Sequence, residues 1–142
     1  MSDRPYRPDA DTVELATAAA RAADDKLATE IVVLEVGPVL GICDYFVIAT
    51  AQNERQVKAV IDAVEEQVRA GTGRSPRAEE GKDARRWVLL DYGDVVVHVF
   101  HVDERAYYRI ERLYGDVPRL EWDEATNAAA TRGAADPADD RA

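Results

Sequence analysis

Asp91 and Asp94 flank the dipeptide Tyr92-Gly93, and Asp44 stands just ahead of an apolar run, so three carboxylates are candidates to converge on a magnesium ion. Such a site would serve phosphoryl or nucleotidyl transfer, which also needs a backbone cradle or a lysine for phosphate. The residues ahead of the second helix read "AQNERQ", with neither a glycine-rich loop nor a Walker-type lysine. Aspartate is common in turns for its own reasons, and two carboxylates facing across a hairpin repel unless a cation or donor lies between them. His98 and His101 form a second candidate group, but two histidines without a third ligand at suitable spacing make a poor zinc site. The single cysteine, Cys43, reads as a small buried hydrophobe rather than a nucleophile. The chain is therefore read as a non-enzyme with no metal and no cofactor, and a magnesium-dependent nucleotidyltransferase is the alternative.

The elements that must position these residues follow from periodicity. Asp11 with Glu14 resembles a capping box, and Val13, Ala16, Ala20, Ala23 and Leu27 then recur at helical spacing, which predicts a first helix to about Lys26. "EIVVLEV" (30–36) is β-branched and reads as a strand that stops at Gly37-Pro38, and "YFVIAT" (45–50) reads as a second buried strand. Asn53 with Gln56 caps a second helix whose apolar positions are Val57, Val60, Ile61, Val64 and Val68, stopped by Gly71 and Gly73. A short edge strand fits near 77–79. Asp103 is the expected N-cap of a last helix "ERAYYRIERLY" that ends at Gly115.

Between these lies "WVLLDYGDVVVHVF" (87–100), which reads as a hairpin. With Tyr92-Gly93 as a two-residue turn, Asp91 faces Asp94, Leu89 faces Val96 and Trp87 faces His98. One face is then Val88, Leu90, Val95, Val97 and Val99, a core face. The other is Trp87, Leu89, Val96, His98 and Phe100, with the aspartates at its turn end. Three modest helices cover one face of a sheet more readily than two, so this second face is expected to be partly open, with the makeup of an interface hot spot. In the last helix, Tyr107, Ile110 and Tyr114 share a stripe assigned to the core. Arg105, Tyr108 and Arg112 share another, suited to docking.

The whole is expected to be α/β, a mixed sheet of four to five strands with helices mainly on one face. Residues 1–10 read as a flexible lead-in, 11–122 as one domain, and 123–142 as a disordered acidic, alanine-rich tail. The chain has 142 residues, 18 Lys and Arg against 28 Asp and Glu, and a net charge of −10. That balance argues against unspecific binding to a phosphate backbone. One cysteine, no charged-then-apolar leader and no apolar run of membrane length suggest a cytoplasmic protein without membrane contact.

Five ordered blocks, "CDYFVIAT", "NERQVKAVID", "EEG", "WVLLDYGDVVVHVF" and "RAYYRIERLYGD", resemble the ribosomal silencing factor family (RsfS, also called Iojap) over about residues 24–116. The resemblance implies a nucleotidyltransferase-like shape, usually without catalytic residues, and a tendency to homodimerise. It implies binding to a ribosomal protein on the intersubunit face of the large subunit, which sterically blocks subunit joining and damps translation under nutrient limitation. No direct sequence-specific contact with nucleic acid is implied. Trp87 and Tyr108 match the family's partner-binding aromatic positions, and Asp91, Gly93, Asp94 and His98 match its hairpin motif; Leu89 on the open face and Arg105 and Arg112 on the helix stripe are expected to complete the binding surface with Asp91 and His98. Glu80 and Gly81 match the turn before the hairpin, and Tyr92, Gly93 and Asp94 its tip. Tyr114 stands where many relatives have tryptophan. A plain homodimerisation module is the second alternative.

Overall fold

The computed structural model describes residues 8–123, so the expectations for residues 1–7 and 124–142 lie outside the described residues. The chain runs α1 (Ala10–Asp25), β1 (Thr29–Glu35), a single turn α2 (Gly37–Leu40), β2 (Tyr45–Ala51), α3 (Glu54–Thr72), β3 (Ala78–Glu80), β4 (Trp87–Asp91), β5 (Val95–His101) and α4 (Val102–Tyr107). A 3-10 helix (Ile110–Tyr114) follows. The five strands form one mixed sheet in the order β1-β2-β5-β4-β3. Only β2 and β5 are parallel. That pair needs a long crossover, which α3 and the β3–β4 hairpin supply. No helix among the described residues is long and apolar enough to cross a membrane.

Helix α1 is rich in alanine where it is buried, at Ala16, Ala19, Ala20 and Ala23, so it approaches α3 and the sheet closely. Its start differs from the expected capping box: the helix begins at Ala10, and Asp9 at the cap makes no side-chain bond. The start of α3 is as read, with Asn53 Oδ1 accepting from the Gln56 N–H at 2.8 Å. At its end Gly73 takes φ +77°, the left-handed cap that favours glycine. Both long helices pack on one side, over Val33, Val47, Ala49, Val88, Leu90, Val97 and Val99. The other side has a smaller core of Leu34, Val36, Cys43, Ile48 and Phe100, flanked by half-buried Phe46, Trp87, Val96, Ile110, Tyr114 and Val117.

The hairpin pairs two residues out of the expected register. Trp87 lies opposite Phe100, Leu89 opposite His98, and Asp91 opposite Val96. The Tyr92 N–H donates to the Val95 carbonyl at 2.8 Å, so the two turn residues are Gly93 and Asp94. A turn on Tyr92-Gly93 would have put tyrosine in the first left-handed position; the observed turn puts glycine there, at φ +93°. Because the shift is even, the strand residues keep their predicted faces, but Asp94, expected at the turn end of the open face, lies on the side of the long helices. Asp91 and Asp94, expected to face each other, are parted.

The last helix is not continuous. His101, not Asp103, caps α4, its Nδ1 accepting from the Asp103 N–H at 3.1 Å. Tyr108 and Arg109 leave helical geometry before the 3-10 turn starts. Arg105 and Glu111 would stand about 120° apart around an unbroken helix. The break brings them together, with Arg105 Nε 3.3 Å from Glu111 Oε1.

Candidate functional site

Trp87 starts β4 on the face away from α1 and α3. Its indole stacks on Phe100, ring centroids 4.7 Å apart and planes 28° from parallel. Tyr108 lies against its outer side at 5.2 Å, and Tyr107 meets Tyr108 edge-on at 4.7 Å. Tyr108 is 44% exposed and Tyr107 79%, while Trp87, Leu89, Asp91 and Val96 are half-buried. The result is a strip of aromatic and aliphatic surface along the open edge of the second face. Tyr107, assigned to the core with Ile110 and Tyr114, is instead exposed at the end of α4, whose buried residue is Arg105.

His98 lies beneath this strip rather than in it. It is 5% exposed, so it cannot itself meet a partner as expected. Trp87 Nε1–H donates to its Nδ1 at 3.2 Å, and Phe46 packs at 4.7 Å in a T-shaped contact. Burial pulls the imidazole down to about 4, so the ring is neutral at physiological pH. Phe46 escaped the sequence reading, although alternation in "YFVIAT" already put it opposite Tyr45 on the second face.

Arg105 also departs from its expected place. Its side chain is 2% exposed and donates to Thr50 Oγ1 at 2.7 Å. Around it, Arg109 Nη1 lies 3.2 Å from both Glu30 and Glu111. Burial pulls the Arg105 pKa down against the pull of Glu111 and Glu30. Burial alone would raise the Glu111 carboxyl, but its backbone hydrogen bond and the two guanidiniums outweigh that and hold it below its ordinary value. This network ties β1, β2, α4 and the 3-10 helix together, and so fixes the segment that carries Tyr108. Arg112 is exposed and lines a separate shallow groove with Val39, Leu113 and Asp116.

Two of the candidate carboxylates, Asp94 and Asp91, have work elsewhere. Asp94 turns toward the long helices, where Arg74 reaches both its oxygens at 2.9 Å and Thr12 Oγ1 donates at 2.7 Å. Asp91 accepts the Gly93 N–H at 2.7 Å and lies 3.4 Å from Arg77. No cluster of metal-ligating side chains occurs among the described residues. Tyr92 is buried under the helices rather than in the turn. Glu80, exposed at the end of β3, pairs with Leu89, and Gly81 at φ +84° lies so close to the next strand that a Cβ would strike the Trp87 carbonyl.

Over residues 9–142 the chain matches the family described as ribosomal silencing factor during starvation. Ribosomal silencing factor RsfS from Bacillus subtilis is 43% identical over 109 residues, which cover 77% of this chain and 92% of that protein. A crystal structure of a Chromobacterium violaceum protein is similar at a TM-score of 0.68 and 34% identity, covering 72% of this chain and 84% of that one. A Bacillus halodurans crystal structure gives 0.64 at 42% identity, covering 76% and 97%. With the family match over most of its length, this extent of identity and two solved structures of similar fold, the chain belongs to the ribosomal silencing factor family.

Proposed function

We propose that this chain docks through the Trp87–Tyr108 strip on a ribosomal protein at the intersubunit face of the large ribosomal subunit. Its bulk then denies the small subunit the space it needs, and translation is damped under nutrient limitation. The observation that carries the reading is the half-exposed aromatic pair, 5.2 Å between centroids, on the sheet face the long helices leave open. Large, rigid aromatic surface of this kind concentrates binding energy, because it buries much area while freezing few rotors. Leu89 and Asp91 extend the contact along β4, while Arg112, in its separate groove, stands apart from the strip. A chain of net charge −10 complements a basic ribosomal protein, which speeds encounter and makes binding weaken with salt. The docking unit is residues 11–122, cytoplasmic, a homodimer when free, and it works by occupancy, with no cofactor, covalent step or sequence-specific contact with nucleic acid.

The test is co-sedimentation with isolated large and small subunits, wild type beside Trp87→Ala, with subunit joining read in the same tubes. Wild type should travel with the large subunit alone and block joining. Trp87→Ala should stay folded and lose about 2 kcal/mol or more of affinity, roughly thirtyfold. Equal binding by the two proteins would take Trp87 out of the interface, and no binding by either would end the proposal.

A further inference from the structure

We propose that His98 is a positioning residue for Trp87: its Nδ1 holds the indole N–H inward, so that Trp87 offers a partner only its apolar ring in a fixed orientation. The proposal rests on the docking role of Trp87 argued above and adds the device that aims it.

The register makes the contact possible. Trp87 is paired with Phe100 and Leu89 with His98, so Trp87 and His98 are diagonal neighbours on one face, a separation that aromatic side chains can span. The indole N–H meets Nδ1 at 3.2 Å while the two ring centroids are 6.2 Å apart, so the rings meet through their polar edges rather than by stacking. An imidazole that accepts at Nδ1 carries its proton on Nε2. That Nε2 is buried and has no hydrogen-bond partner among the described residues. The rest of the ring touches Phe46 and Phe100.

A phenylalanine at 98 would fill this aromatic cluster without burying an unpaired N–H, a burden that polar side chains in a core ordinarily avoid. The one polar service the imidazole performs here is to accept from Trp87. Without it the indole N–H would be left buried and unpaired, or the ring would swing to bring it to water, and either change spoils a preset docking surface. With it, the ring is held before the partner arrives, and less order has to be imposed on binding. The recognition that follows is apolar: the partner surface over Trp87 meets a ring with no donor turned toward it, which suits aliphatic side chains or the stem of a basic one rather than a carbonyl acceptor.

The experiment uses the full chain labelled with 15N, as wild type, His98→Asn, His98→Phe and Trp87→Phe. The indole signal missing from Trp87→Phe identifies Trp87. Long-range proton–nitrogen correlations in the wild type should show Nδ1 unprotonated and Nε2 protonated at neutral pH. The Trp87 indole N–H should be protected from hydrogen exchange in the wild type and in His98→Asn, whose side-chain oxygen stands in for Nδ1. It should exchange about tenfold faster or more in His98→Phe, with large-subunit affinity falling about tenfold there and recovering in His98→Asn. A proton on Nδ1 in the wild type overturns the proposal without any variant. So does a folded His98→Phe whose indole protection and affinity match the wild type. If His98→Phe does not fold, the wild-type tautomer and the His98→Asn exchange rate decide. A protected indole in a protein that does not sediment with large subunits would refute the docking role, and the purpose of the aiming with it, while leaving the hydrogen bond itself established.

Discussion

Arg105→Met separates a buried clamp from a surface contact. The substitution keeps the aliphatic stem and removes the guanidinium, which is 2% exposed, bonded to Thr50 Oγ1 at 2.7 Å and paired with Glu111 at 3.3 Å. Removing one partner of a buried ion pair costs about 3–5 kcal/mol when the other is left bare. Glu111 is not left bare, since Arg109 stays 3.2 Å away, but Arg109 is itself 30% exposed and its help is screened. The expected loss is therefore about 2–3 kcal/mol, or roughly 10 °C in Tm for a domain of this size. Large-subunit affinity, measured well below the melt, should fall as well, because α4 loses the anchor that holds Tyr108 against Trp87. Arg105→Met combined with Glu111→Leu should recover part of the Tm, since the stranded carboxylate is then gone. A single variant that melts within about 2 °C of wild type yet loses its affinity would refute the clamp and return Arg105 to the interface.

Asp94→Asn should cost about 1–2 kcal/mol at pH 7 by urea denaturation, as the Arg74 fork and the Thr12 bond are weakened at a partly exposed site. Burial alone would raise the Asp94 carboxyl, but the Arg74 and Thr12 hydrogen bonds outweigh it and hold it low. The unfolded chain therefore takes up the proton first. The pair's stabilisation is complete above about pH 4 and fades as pH falls through the lower folded value, and the asparagine variant should lack that part of the acid limb. Gly81→Ala should lose about 2 kcal/mol or more in the same assay, since φ is +84° and a Cβ would strike the Trp87 carbonyl; an unchanged midpoint would mean the β3–β4 loop has room to move. Tyr108→Ala should lower large-subunit affinity comparably to Trp87→Ala with little change in Tm, and unchanged affinity would remove Tyr108 from the contact.

The sheet was legible because β-branched runs and a capped amphipathic helix are local signals. Asn53 with Gln56, Gly73, and the alternation of Val88, Leu90, Val97 and Val99 each say the same thing in sequence and in space. Even with the turn misplaced, the strand residues kept their faces, because a slip of two residues preserves side-chain parity; Asp94 in the turn itself did not. The last helix was not legible. Helical spacing put Arg105 beside Tyr108 and Arg112 on one surface stripe, but the ladder breaks at Tyr108 and Arg109 with no proline or glycine to announce it. What breaks it is tertiary: a buried guanidinium that meets Thr50 from β2 and Glu111 from beyond the break. No window of neighbouring residues contains that information. The burial of His98 escaped for a similar reason, since it depends on Phe46 from a strand far away in sequence.

The apolar character of both faces of 87–100 follows from an uneven division of cover. Sixteen residues of α1 and nineteen of α3 lie on one side of the sheet, and their core takes the β-branched face. On the other side the cover is six residues of α4 and five of the 3-10 helix, with Val117 beside them; the chain then pairs along the outer edge of β1, where the Glu35 N–H meets Pro118 and the Leu120 N–H meets Val33. This cover shields the β1 side and leaves β4 half open. A chain that only needed to fold would place polar residues along that open edge, as antiparallel sheets with one wet face do. Trp87 and Leu89 stand there instead, with a buried histidine spent on the tryptophan's N–H and a buried arginine spent on the helix that carries Tyr108. Polar groups with costly burial are thus used to hold apolar ones at the surface, an arrangement that burdens the isolated fold and makes physical sense when a partner covers the strip.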